Sequence, residues 1–97
     1  MANYIALLQY TEQGIRGVKD TTKRAAAATE VASKMGVKLT DLFWTLGQYD
    51  LVIVAEAPDE ETMTALMLKL TSLGNVKSQT LRAFRAKEMD AILKKVG

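Results

Sequence analysis

The sequence predicts an α+β fold of ferredoxin-like βαββαβ order, with a four-stranded antiparallel sheet and a short C-terminal helix. Three observations carry this prediction. Residues 4–10 and 51–57 are short runs that are apolar on both sides of a period-two alternation, as central strands are. Two other segments place apolar residues at helical spacing and end at Gly36 and Gly74. Between two of the strand-like runs, Gly47-Gln48-Tyr49-Asp50 has the chemistry of a tight turn.

The elements follow in order. Residues 4–10 form the first strand, after which Thr11-Glu12-Gln13-Gly14 is turn chemistry and Ile15-Arg16-Gly17-Val18 an ordered loop between two glycines. A helix opens at Asp20, Thr21 or Thr22 and ends at Gly36, with Ala25, Ala28, Ala32 and Met35 on one face. Its four consecutive alanines predict a thin helix close against what it covers, while Lys23, Glu30 and Lys34 fit the solvated side. Residues 37–46 read as the second strand, with Leu42, Trp44 and Leu46 on one face and Phe43 and Thr45 on the other. The turn then pairs it as a hairpin with the third strand, 51–57. Pro58 stops that strand, and Asp59 caps a helix over 59–73 whose first turn holds Glu60 and Glu61 at the positive end of the helix dipole. Met63, Leu66, Met67, Leu70 and Leu73 make its apolar stripe. Residues 76–85 are a more polar strand suited to an edge, and 86–96 a short helix with Met89, Ile92, Leu93 and Val96 on one side.

This β-α-β-β-α-β order is the split βαβ pattern, in which the first and third strands lie centrally. Two helices cover one face of such a sheet. Because both central strands are apolar on both sides, a solvated second face would expose a large hydrophobic patch. The expectation is a homodimer packed sheet to sheet, the dimeric α+β barrel arrangement, or a related higher assembly.

Composition bounds the chemistry. The 97 residues make one domain, 1–97, with 48% hydrophobic and 25% charged residues and a net charge of +2, too slight to indicate nucleic acid. Cysteine is absent, which excludes disulfides, thiolate metal sites and cysteine nucleophiles. Histidine is absent too, removing the commonest general base and metal ligand. No metal or cofactor is expected. The opening Met1-Ala2-Asn3-Tyr4 lacks the features of a signal peptide, and no stretch is apolar enough to span a membrane, so the cytoplasm is the expected compartment.

Few residues are left to carry chemistry. Glu56 is the one polar residue in its strand and shares a face with Val52 and Val54. It is either an acid/base or ligand-binding carboxylate, or a strand-end glutamate held in an ion pair. Tyr49 and Asp50 place a phenol and a carboxylate at a pocket rim, or simply build the turn. Tyr10 and Trp44 are candidates to line a cleft with Glu56. Residues 13–19, with two glycines, Arg16 and Lys19, are the best anion-site candidate and distantly resemble an acylphosphatase phosphate loop. They lack its Phe-Arg ending, and the second strand has no Asn for the catalytic amide, so a structural loop is the better reading. A third strand without aromatics argues strongly against an RNA-binding RRM surface, and the missing Cys-x-x-Cys excludes a copper chaperone.

Five separated segments carry a resemblance: Gln9-Tyr10-Thr11, Gln13-Gly14-Ile15-Arg16, Trp44-Thr45-Leu46-Gly47-Gln48-Tyr49-Asp50, Val54-Ala55-Glu56-Ala57-Pro58-Asp59 and Ser72-Leu73-Gly74-Asn75-Val76. Over about residues 3–87 the chain resembles the GYD domain family, with Gln48 inserted between Gly47 and Tyr49-Asp50. The resemblance implies a ferredoxin-like, dimeric α+β barrel fold and brings no assigned catalytic residues. It marks Gly47, Tyr49, Asp50, Glu56 and Pro58 as family-pattern positions.

The leading functional expectation is a small cytoplasmic homo-oligomeric module that binds a small organic ligand, as a sensor or accessory subunit. Glu56, Trp44 and Tyr10 would line its pocket, with Asp50 and Arg16 as further ligand-binding candidates. The alternative is a cofactorless oxygenase or isomerase with Glu56 as base and Tyr49 or Tyr10 as proton donor. A structural oligomerisation protein without ligand is the third reading. Nucleic acid and membrane are not expected partners.

Overall fold

The computed structural model describes residues 1–97. Strand β1 (Ala2–Tyr10) leads through a short helix α1 (Glu12–Arg16) and a 3-10 turn (Val18–Asp20) into helix α2 (Thr21–Lys34). Strands β2 (Lys38–Trp44) and β3 (Leu51–Ala57), helix α3 (Glu60–Thr71), strand β4 (Val76–Ala83) and helix α4 (Ala86–Lys94) complete the chain. The sheet order is β2-β3-β1-β4, and each neighbouring pair is antiparallel. The two most apolar strands are central and the polar β4 lies at an edge, as the sequence predicts.

Side chains on β1 and β3 alternate between two unlike environments. Tyr4, Ala6 and Leu8, with Leu51, Ile53, Ala55 and Ala57, are buried in one core with Ala32 of α2 and Met63, Leu66, Met67 and Leu70 of α3. The predicted α3 stripe is therefore the core, apart from Leu73, which lies beyond the helix and is exposed. On the other face Leu7 opposes Val52, Ile5 opposes Val54 and Leu81, and Phe43 opposes Val52. None of these side chains is buried, and Phe43 is 55% exposed. Burial on both faces, expected from composition alone, thus holds within one chain only for the helix side.

Two boundaries differ from the sequence reading. Residues 11–18, read as turn and loop, instead form α1 and the 3-10 turn. The Thr11 hydroxyl caps α1 by accepting from the Gly14 N–H at 3.1 Å, and Glu12 and Arg16 pair along it one turn apart. The two glycines resemble helix breakers, but Gly14 is present because backbone passes close to it. Strand β2 is shorter than expected and slips register between Leu39 and Asp41, a bulge at which Thr40 donates its hydroxyl to the Val54 carbonyl at 3.1 Å.

The predicted cap of α3 is present: the Asp59 carboxylate accepts from the Thr62 N–H at 2.7 Å. Hydrogen bonds from the Thr62 side chain and backbone hold the Asp59 carboxyl below its ordinary value. A lowered folded-state pKa stabilises above the unfolded value and is lost as pH falls through the folded one. Replacing Asp59 with Ala should therefore lower the urea midpoint at pH 7, and the deficit relative to the parent should shrink below about pH 4. A deficit independent of pH would show that the cap acts without its charge.

Candidate functional site

The helix layer does not seal the sheet. Ala25 and Ala28 of α2 offer only methyl groups toward α3, and an apolar cleft of about 80 Å³ remains between the two helices. Leu8, Leu51 and Ile53 are its floor, and Leu70 and Leu73 its far wall. The four-alanine run, expected to bring the helix close against its support, here leaves room instead.

Polar groups gather at the mouth of this cleft. The Tyr10 hydroxyl lies 2.9 Å from the Thr21 hydroxyl, and the Trp44 indole N–H donates to the same Thr21 oxygen at 3.0 Å. Thr21 opens α2, where Asp20 makes no side-chain cap, so its hydroxyl serves the two aromatics. Arg24, one turn on, donates to the Gly17 carbonyl at 2.8 Å and to the Gly14 carbonyl at 3.4 Å. Tyr10 and Trp44 therefore meet on Thr21, but of the two only Tyr10 lines the cleft. Thr21 and Arg24 are additional: the single arginine in an alanine-rich helix turn was the available signal.

The other expected site residues lie elsewhere. Glu56 points from the open sheet face, between Asn3 on β1 and Lys38 on β2 in register, on the side away from the cleft. It makes no hydrogen bond to a phenol, so the carboxylate–phenol pair that an acid/base site would need is not assembled. Tyr49 donates its hydroxyl to the Gln79 side chain at 3.2 Å, on the rim of a shallow depression beside β1 and β4. The Asp50 carboxylate accepts the Tyr10 N–H at 2.8 Å, and the Asp50 N–H donates to the Leu8 carbonyl. Asp50 thereby fastens the hairpin turn to the end of β1 and sets the position of Tyr10. Arg16 is spent on the exposed pair with Glu12 and does not reach the cleft.

A larger, shallower groove of about 700 Å³ runs between α3 and β4, and it is lined by none of the expected site residues. Tyr4 contributes to it, with a buried hydroxyl that has no hydrogen-bond partner. Burial pushes the Tyr4 phenol above its ordinary value; the Glu60 carboxylate adds to the rise and the Arg82 guanidinium opposes it. No group of three or more carboxylates is placed to hold a metal ion, and no helix is long and apolar enough to cross a membrane.

The motif residues of α1 and the α3–β4 turn meet in space. Thr11 donates its N–H to the Asn75 carbonyl at 3.1 Å, and the Gln13 amide donates to the Leu73 carbonyl and the Asn75 side chain, each at 3.0 Å. This clasp closes the end of the molecule next to the cleft.

Comparison with known proteins agrees with this architecture. The GYD domain model matches residues 4–93. A Thermus thermophilus protein described as a glutamine synthetase and cystathionine beta-lyase binding protein is 35% identical over 95 residues, spanning 97% of this chain and 100% of the relative. The crystal structure of TTHA0845, also from Thermus thermophilus, superposes with a TM-score of 0.59 at 24% identity, over 89% of this chain and 96% of that one. An ACT domain protein from Streptococcus pneumoniae gives 0.51 at 17% identity, over 86% and 90% of the two chains. At these identities the two structures speak for the fold alone.

Proposed function

This chain belongs to the GYD domain family, and from that premise we propose that it is a cytoplasmic accessory module that works by binding, first to itself and then to an enzyme. The observation that carries the reading is the uncovered apolar sheet face of Ile5, Leu7, Phe43, Val52, Val54 and Leu81. Surface area supports it. The chain exposes 6488 Å², whereas a compact monomer of its 10.7 kDa is expected to expose about 5,500 Å². The surplus, about 1,000 Å², exceeds the roughly 800 Å² that each partner contributes to a standard interface. Helix α4 adds to the same need: it has no buried residue, and Met89, Leu93 and Val96 remain exposed along one side. Two copies packed sheet to sheet, in the dimeric α+β barrel manner, cover the apolar face and leave both helix layers outward.

The enzyme partner follows from the relative whose description names glutamine synthetase and cystathionine beta-lyase. Carried to this chain, it makes those two enzymes the first partners to test. In native mass spectrometry, mixing purified glutamine synthetase or cystathionine beta-lyase with this protein should give a complex of defined stoichiometry. Free components in both mixtures would remove these enzymes as partners. The small organic ligand expected from the sequence belongs to the same reading, with the cleft between α2 and α3 as its place.

A further inference from the structure

We propose that the cleft between α2 and α3 binds a small monocarboxylate with a short branched apolar chain, its carboxylate on Arg24 and its chain between Ala28, Leu42 and Ile53. The inference rests on the small-ligand part of the reading above and names its chemistry. Two features of the cleft select this class. The first is its size and lining. Its volume of about 80 Å³ is roughly half that of a cavity that encloses benzene, so the apolar part of a ligand is limited to about four carbons. Its walls are almost wholly apolar, which makes water a poor occupant.

The second feature is the charge at the mouth. Arg24 is half-buried and has no carboxylate within ion-pair distance in this chain. Two of its five guanidinium N–H groups are used on the Gly14 and Gly17 carbonyls, which fixes the plane of the group. Three N–H groups remain for an acceptor. A carboxylate takes two of them as a fork, whereas a neutral alcohol uses one. The Tyr10 hydroxyl, which shares a hydrogen bond with Thr21, lines the same cleft and can donate to a ligand when Thr21 is the donor of that bond. Arg16 and Arg82, by contrast, already face carboxylates.

Trp44, the only tryptophan in the chain, is hydrogen-bonded to the cleft-lining Thr21, so its fluorescence should respond to occupancy. Titration with 3-methylbutanoate should give a saturable fluorescence change with a Kd on the order of 1 mM or tighter. Acetate, which has the charge without the chain, and 3-methylbutanol, which has the chain without the charge, should each bind at least tenfold more weakly. Ala28→Leu, which fills the apolar part and leaves Arg24 in place, should abolish the saturable change while circular dichroism and melting show a folded protein. Arg24→Gln should weaken binding at least tenfold and bring the acid and the alcohol to equal affinity. Equal binding of acid and alcohol to the parent protein would overturn the carboxylate assignment yet leave a small-ligand cleft. Absence of saturation with every probe, or undiminished binding to folded Ala28→Leu, would overturn the cleft as a ligand site altogether.

Discussion

Gly14→Ala is expected to destabilise the protein by about 3 kcal/mol, a fall in Tm of roughly 12–24 °C for a domain of this size. A β-carbon at Gly14 would stand 1.9 Å from the Asn75 carbonyl oxygen, inside any contact that real atoms make. The obstacle is backbone, held by the Thr11 N–H and by the Gln13 amide on either side of it, so it cannot turn away as a side chain would. Either α1 lifts from the α3–β4 turn or the turn breaks its bonds. The neighbouring Gly17 supplies the contrast: its added β-carbon would meet the Arg24 guanidinium at 3.3 Å, a side-chain group that needs to give by only a few tenths of an ångström and can do so while keeping its carbonyl bonds. Gly17→Ala should therefore change Tm by only a few degrees. Thermal melting of both variants decides the point, and equal losses would mean that the collision with Asn75 does not set the cost, since helix propensity by itself favours alanine over glycine. The clasp also frames the cleft, since Asn75 lines it and the Gly14 and Gly17 carbonyls orient Arg24. Loosening it should reach the site as well as the fold.

The fold was legible because its signals are local. Alternation along 4–10 and 51–57, a stripe on α3, a cap at Asp59 and a turn at Gly47, whose φ is 107°, each depend on a few neighbouring residues. The α1 helix was not legible, because Gly14 follows a constraint imposed by Asn75, some sixty residues away in the chain. The site was half legible for the same reason. Tyr10 and Trp44 could be proposed as aromatics near strand ends, but their meeting at Thr21 depends on how α2 crosses the sheet. Glu56 is grouped with them as the one polar residue of an otherwise apolar strand. Its parity within β3 in fact puts it on the open face with Val52 and Val54, while Tyr10 and Trp44 take the helix side. A one-residue parity is decisive in a strand, and it was readable once the face covered by the helices was known.

From the sheet-to-sheet dimer proposed above, Val54→Lys should give a monomer, half the mass of the parent protein in sedimentation equilibrium. Val54 is central on the open face, paired with Ile5 of β1 and Asp41 of β2, and half-buried in the single chain. In a sheet-to-sheet dimer a lysine there would bring its ammonium group close to the copy related by two-fold symmetry, in a layer whose apolar centre is Ile5, Leu7, Val52 and Phe43. Burying a lysine from each copy in this layer costs several kcal/mol even with the Asp41 carboxylate across the strand pair, because the ammonium groups lose water and face one another across the two-fold axis. In the separated chain the same lysine reaches water along the open face, so the monomer should remain folded. Because the cleft lies on the opposite side of the sheet, the monomer should also keep its Trp44 response to 3-methylbutanoate. Two other results would count against the face. A dimer that persists with Val54→Lys would place self-association on another surface, with α4 and its exposed Met89 and Leu93 the next to substitute. A parent protein that sediments as a monomer at high micromolar concentration would leave the apolar face for the enzyme partner, and Val54→Lys should then abolish that complex instead.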